Sequence, residues 1–231
     1  MADALAEAAK QIAALQKQVR KLQARNTPSV YMGWTNIPVQ PTYVSATSIL
    51  FTGIDLTAHL KSYIKCRWYQ SGWKYGYVSS SSLGSGNTTA TLVTNTSYTV
   101  ANAAITNFSI SHGSPVDFPA TFLYTPTVST TMGFSAPAFV FNKFYISGGI
   151  CEIWIRFSTT LSGVASNEVK FTNPVPAVMG TSAHSSGSAM INFLLANGYG
   201  SDSTYFTIKP ISGNYSLGAT NLFAHASFPV A

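Results

Sequence analysis

The chain has 231 residues, of which 46% are hydrophobic and 13% aromatic, and a formal net charge of +6. This composition suits a folded protein with a substantial core, and no apolar run approaches the roughly eighteen residues that a membrane span needs. Residues 1–27 hold five cations and two acids, and residues 28–231 hold eight cations and five acids, so each part carries +3. Charges this sparse cannot form the basic stripe that binds a phosphate backbone, which argues against a nucleic-acid partner.

Residues 1–27 contain the pattern of a coiled-coil helix. With Leu5 as heptad position a, apolar residues recur at spacings of three and four without a fault. The seam consists of Leu5, Ile12 and Val19 at position a, and Ala8, Leu15 and Leu22 at position d. Such a short helix is marginal alone, so we expect an oligomer, although an amphipathic helix folded onto its own domain is the alternative. Ile and Val at a with Leu at d favour two strands, so the seam leaves dimer and trimer open.

The same segment does not have the features of a secretory signal. Its charges are scattered, and it contains no continuous apolar stretch. We therefore expect a chain that is made in the cytoplasm without a signal peptide. The cations Lys10, Lys17, Arg20 and Lys21 fall on outer heptad positions, where they are either solvated or meet a membrane, nucleic acid or an acidic protein surface.

From Tyr43 onward, short β-rich segments alternate with Gly, Ser, Asn and Pro. This spacing predicts a barrel or a sandwich. The stretch "SHGSPVDFPATFLYTPT" concentrates three prolines and indicates a domain boundary near residue 119. We therefore predict a small barrel-like β domain at 28–119 and a second β domain at 120–231.

The segment "CEIWIRF" in the second domain alternates strictly. The predicted inner face consists of Cys151, Ile153, Ile155 and Phe157, and the other face of Glu152, Trp154 and Arg156. A Trp between an acid and an arginine is unusual on a solvated face. It indicates either a subunit interface, a second packed layer or a sugar-binding site.

No constellation of residues for catalysis, metal binding or cofactor binding is recognisable. The acids of the larger part (Asp55, Asp117, Glu152, Glu168 and Asp202) are dispersed, the four histidines lack ligand spacing, and neither a nucleophile elbow nor a phosphate-binding loop occurs. Cys66 and Cys151 each lie in a strand pattern, which favours buried free thiols and leaves a disulfide possible. We expect a binding or structural protein and no enzyme.

Two loops are the main candidates for binding in the second domain. His184 lies near the tip of "GTSAHSSGS", and Tyr199 and Asp202 lie in "NGYGSDSTY". An aromatic ring beside a carboxylate suits stacking on a sugar ring and hydrogen bonding to its hydroxyls. With Trp154 and Arg156 these residues form the predicted glycan-binding set.

Residues 34–119 resemble a family of bacteriophage tail-fibre and minor tail proteins. The resemblance lies in four segments in the same order: "WTNIPVQPTYVSATSILFTGIDLTAHL", "KYGYVSSSS", "SYTVANAAI" and "SHGSPVDFP". Asp117 departs from the family pattern where Gly is usual, and Ser62 and Tyr63 replace an expected Gly-Asp turn. The ending "FTIKPISGNYSLGATNLFAHASFPVA" is more loosely similar to the C-terminal β-sandwich of such fibres.

The resemblance implies a virion protein that forms a homotrimer, with a coiled coil, a β neck and a C-terminal jelly-roll-like head. The N-terminal helix would attach it to a tail, baseplate or capsid protein, and the head would contact a host surface glycan. A capsid fibre or decoration protein with a purely structural role is the alternative.

Overall fold

The computed structural model describes residues 11–12, 15–16, 30–95, 97–129, 133–134, 138–162, 169–176, 186–191, 194–200, 204–210 and 218–230. The chain divides into two compact units. Unit 1 holds Met1–Thr94 and Tyr98–Phe118, and unit 2 holds Asn95–Ser97 and Pro119–Ala231. In their described parts both units are built from antiparallel β-strands, as the turn-punctuated sequence predicts.

The predicted coiled coil falls mostly outside the described residues. Only Ile12 and Leu15 of the seam are described, and their side chains are 55% and 60% exposed. They and the neighbouring glutamines have helical backbone geometry, but the described part of the chain contains no helical element. The coiled coil therefore stays a prediction. The seam residues outside the described part are Leu5, Ala8, Val19 and Leu22.

Unit 1 contains one eight-stranded sheet. Its strands are β1 (Val30–Tyr31), β2 (Trp34–Asn36), β3 (Thr42–Ser45), β4 (Ser48–Phe51), β5 (Lys65–Tyr69), β6 (Trp73–Gly84), β7 (Asn87–Val93) and β8 (Thr106–Ser111). Their order across the sheet is β1-β2-β8-β5-β6-β7-β4-β3.

This sheet folds back on itself. The rings of Phe51 in β4 and Phe108 in β8 meet edge to face at 5.2 Å, although three strands separate β4 from β8 in the sheet. The long strand β6 allows this because its register shifts between Val78 and Ser80, and a bulge bends a strand. Its first half pairs with β5 and its second half with β7.

The barrel predicted for this unit does not close in the described part of the chain. Strands β1 and β3 are the free edges of the sheet. No further strand pairing covers the core in this described part of the chain. Apolar residues from the connecting loops cover it, and these are Leu56, Leu60, Val100 and Ile105. The prediction was wrong on this point because strand periodicity reports which face is buried and carries no information about whether the two edges meet.

Unit 2 contains a ten-stranded sheet. Its strands are β9 (Phe122–Leu123), β10 (Val128–Ser129), β11 (Gly133–Phe134), β12 (Ala138–Ser147), β13 (Ile150–Ser162), β14 (Val169–Thr172), β15 (Ser186–Ile191), β16 (Leu194–Gly200), β17 (Tyr205–Pro210) and β18 (Gly218–Pro229). The order is β10-β14-β17-β16-β15-β18-β13-β12-β9, and β11 also pairs with β13. This sheet also folds back, since Phe157 of β13 contacts Phe171 of β14 at 5.5 Å across four intervening strands.

A tight hairpin sets the register of the strands that matter most for function. Gly148 and Gly149 link β12 to β13 with φ angles of 57° and 75°, the left-handed values that a two-residue hairpin turn requires. Lys143 consequently lies opposite Trp154. On the other side of β13, strand β18 pairs along its whole length and places His225 opposite Trp154 as well.

Candidate functional site

A row of three rings crosses the outer face of unit 2. Trp154 in β13 stacks on Tyr145 of β12 at 5.6 Å and on His225 of β18 at 5.2 Å, with the ring planes within 17° and 16° of parallel. The rings stand on the outer face because β13 alternates as predicted. The residues of its inner face (Cys151, Ile153, Ile155 and Phe157) are buried.

Both sides of the indole face another ring. Strands β12 and β18 flank β13, so Tyr145 and His225 lie on opposite sides of Trp154. The separations exceed the van der Waals thickness of stacked rings, about 3.5 Å, so the rings overlap only in part, in the offset arrangement that aromatic pairs prefer. The row therefore holds Trp154 in one orientation and leaves part of the indole exposed.

Glu152 lies close to both ends of this row. The Tyr145 hydroxyl donates a hydrogen bond of 3.0 Å to Glu152 Oε1, and His225 Nε2 lies 3.5 Å from Glu152 Oε2. The hydrogen bond to Glu152 raises the pKa of Tyr145, and desolvation and the carboxylate charge raise it further. We call the three rings of Tyr145, Trp154 and His225, together with the adjacent Glu152, the aromatic row.

An open pocket of about 250 Å³ borders the aromatic row. It is lined by Thr121, Phe141, Lys143 and Trp154. Phe141 and Lys143 come from β12, and the Phe141 ring contacts Phe223 of β18 at 6.0 Å. The lining surface is almost wholly apolar, and Thr121 and Lys143 are the lining residues whose side chains also carry a polar group.

The structure brings together only part of the predicted glycan-binding set. Trp154 and Arg156 share the outer face of β13, and the Arg156 side chain is exposed. The backbone of Tyr199 lies in β16, three strand spacings from β13 and therefore about 14 Å away along the sheet. His184 and Asp202 lie outside the described residues.

Sequence reasoning missed most of the aromatic row and the pocket. Lys143 and Tyr145 were detectable, because the Gly-Gly hairpin fixes which residues of β12 lie opposite Glu152 and Trp154. His225 was not, since β13 and β18 are distant in sequence and nothing local sets their register.

A second aromatic cluster lies in unit 1. The Arg67 guanidinium carbon is 4.6 Å from the Trp34 ring centre and 4.4 Å from that of Trp73. Trp34 is buried, and its Nε1–H donates a hydrogen bond of 2.9 Å to the carbonyl of Val116. These contacts join β2, β5 and β6 to the end of unit 1, so we interpret the cluster as structural packing in which a cation lies between two rings.

The two cysteines do not provide reactive groups. Cys66 and Cys151 are both buried and free, as the strand patterns favoured. Burial raises the pKa of both thiols, and the charge of Glu152 raises that of Cys151 further. Within the described ranges no three His, Cys, Asp or Glu residues converge on a metal site, and no helix there is long and apolar enough to cross a membrane.

Comparison of the chain with models of protein families, with curated proteins and with solved structures finds no match in any of the three.

Proposed function

We propose that this protein is a bacteriophage virion fibre, a trimeric tail-fibre or receptor-binding protein whose C-terminal unit contacts a glycan on the host surface. The aromatic row and its pocket are the observation that carries the binding role. Rings with polar tips on a solvent-facing sheet suit a ligand that has apolar C–H faces and many hydroxyls. Stacked rings also stabilise a sheet face, so the pocket beside them is what favours a binding role over a purely structural one.

The geometry of the row limits how a sugar would bind. Because Tyr145 and His225 each cover part of the indole, a sugar ring would reach only the part of Trp154 that borders the pocket. The walls from Phe141 and Trp154 would take its apolar face, while Thr121 and Lys143 would bond to its polar groups. Arg156, two residue pairs along the strands, would bind the neighbouring part of the polysaccharide.

The oligomeric part of the proposal rests on the N-terminal heptads and on the resemblance of residues 34–119. The exposure of Ile12 and Leu15 in the single chain supports it, since an apolar seam is stable only when partner helices cover it. Three identical weak sites on one jelly-roll-like head would gain avidity without new contacts. The same helix would attach the fibre to a tail, baseplate or capsid protein, and the fibre would stay on the virion surface after synthesis in the host cytoplasm.

Location and binding are tested by separate experiments. Gold-labelled antibody against unit 2 should mark the tail tip of intact particles. Label on the capsid would favour a capsid fibre or decoration protein, and the absence of label on particles would contradict the virion role.

For binding, the full chain is applied to an immobilised panel of microbial polysaccharides. Trp154→Ala should weaken binding about tenfold or more, because it removes the aromatic wall and the centre of the row. Trp73→Ala serves as the control, since Trp73 is also a partly exposed tryptophan but lies in unit 1. Equal losses in both variants would contradict the assignment of the site.

A further inference from the structure

Lys143 is the charged residue that lines the pocket beside the aromatic row. Its side chain is exposed, and its ammonium group has no hydrogen-bond, ion-pair or cation–π partner among the described residues. An exposed lysine is ordinary on most protein surfaces. In this chain charged side chains are sparse, because the 204 residues after position 27 carry only eight cations and five acids.

The nearest acid along the strands does not neutralise this cation. Glu152 lies two residue pairs away from the pair formed by Lys143 and Trp154, and its Oε1 accepts a hydrogen bond from the Tyr145 hydroxyl. Diagonal neighbours of this kind lie within reach of long side chains, but among the described residues no ion pair joins Lys143 to Glu152. The ammonium of Lys143 is thus available to a negatively charged ligand.

Arg156 adds a second positive charge on the same side of the sheet. Arg156 pairs with Phe141, which is the outward-facing residue of β12 just before Lys143 in the chain. Lys143 and Arg156 therefore lie diagonally across the β12–β13 hairpin. Lys143 and Arg156 carry two positive charges against the one negative charge of Glu152, so the described charges on this part of the face sum to +1 and give the site a positive potential.

We propose that this pocket selects an acidic sugar, with Lys143 bound to its carboxylate or phosphate and Phe141 and Trp154 against its ring. This inference rests on the proposed glycan-binding function and names its ligand class. The ammonium group acts as a point charge that accepts either anion. A volume of about 250 Å³ lies just below the range of drug-sized ligand sites, so the pocket takes a single sugar unit of a longer polymer.

The test measures how strongly the full-length protein binds each acidic polysaccharide and its neutral counterpart. One arm uses a polysaccharide that contains uronic acids, before and after chemical reduction of its carboxyl groups. The other arm uses a phosphate-containing wall polymer, before and after removal of the phosphate. In the arm that matches the natural ligand, removal of the acidic groups should lower the affinity of each site about fivefold or more. Binding of the untreated polysaccharide should also weaken as the salt concentration is raised.

Two variants assign the effect to the pocket. Lys143→Gln should remove the preference for the acidic form, so that this variant binds the acidic and the neutral form about equally. Lys61→Gln removes the same charge from an exposed lysine in unit 1, and it should keep the preference.

The possible results separate this inference from the function on which it rests. Equal binding of acidic and neutral forms, lost in Trp154→Ala, would overturn the acidic-sugar inference and leave glycan binding intact. A preference that survives Lys143→Gln would overturn the role of Lys143. No binding to any polysaccharide would overturn both the inference and the proposed function.

Discussion

The buried side chain of Gln70 gives the most direct test of how unit 1 is held together. Its Nε2 donates hydrogen bonds to the carbonyl oxygens of Ala101 and Ala103, at 3.0 Å and 2.9 Å. Its Oε1 accepts from Trp68 Nε1 and from the amide of Ala101, both at 3.1 Å. One amide therefore joins the end of β5 to the loop that covers the core, and Gln70→Met removes all four bonds at nearly constant volume.

The cost of this substitution comes mainly from Trp68. A buried donor without an acceptor costs about 1–3 kcal/mol, and Trp68 is only 1% exposed, so water does not replace the lost bond. Ala101 and Ala103 are exposed, so water satisfies the groups that Gln70 leaves there. We expect Gln70→Met to lower the free energy of unfolding by about 2 kcal/mol.

Urea unfolding followed by tryptophan fluorescence, at one fixed protein concentration, measures this loss. Three of the four tryptophans lie in unit 1, so the signal reports on it. In a Trp68→Phe background the orphaned donor is absent, and Gln70→Met should cost about 1 kcal/mol less. A loss under about 0.5 kcal/mol, or the same loss in both backgrounds, would refute the reasoning.

Three further predictions follow from buried or crowded groups. Gly76→Ala should destabilise the fold by about 1–3 kcal/mol, because the new Cβ would lie 2.8 Å from the carbonyl oxygen of Val93; Gly84→Ala in the same strand, with open space around it, is the nearly neutral control in urea unfolding. Both cysteine thiols should resist a thiol reagent in the folded protein and react in urea without reductant, and rapid reaction of the native protein would contradict their burial. Tyr145→Phe should lower the free energy of unfolding only at pH values at which the Tyr145 hydroxyl of the wild type keeps its proton. Because the folded-state pKa is raised, the difference in unfolding free energy from wild type should be present below about pH 10 and vanish as pH rises through that pKa; a difference that is constant with pH would show that the hydrogen bond to Glu152 contributes nothing.

The sequence was sufficient to predict the features that depend on local patterns. The alternation in "CEIWIRF" predicted which side chains of β13 are buried, and the core contains them. Gly148 and Gly149 predict a two-residue turn, and such a turn allows a single register between β12 and β13. In that register Lys143 lies opposite Trp154.

Features that depend on distant segments could not be predicted in this way. The contact between Phe51 and Phe108 depends on the bend of β6, and the position of His225 depends on a strand pairing across about seventy residues. Periodicity identifies a buried face but not the strand that packs on it. For the same reason Tyr199 was grouped with Trp154, although β15 and β18 lie between their strands.

The central claim is that the protein works as a trimer that presents three copies of the aromatic row. Light scattering after size exclusion measures the solution mass of the full chain directly. The account predicts a particle of three times 24.7 kDa. A dimer would contradict the threefold fibre and would favour the two-stranded coiled coil that the heptad residues by themselves favour. A monomer of 24.7 kDa would contradict the fibre altogether.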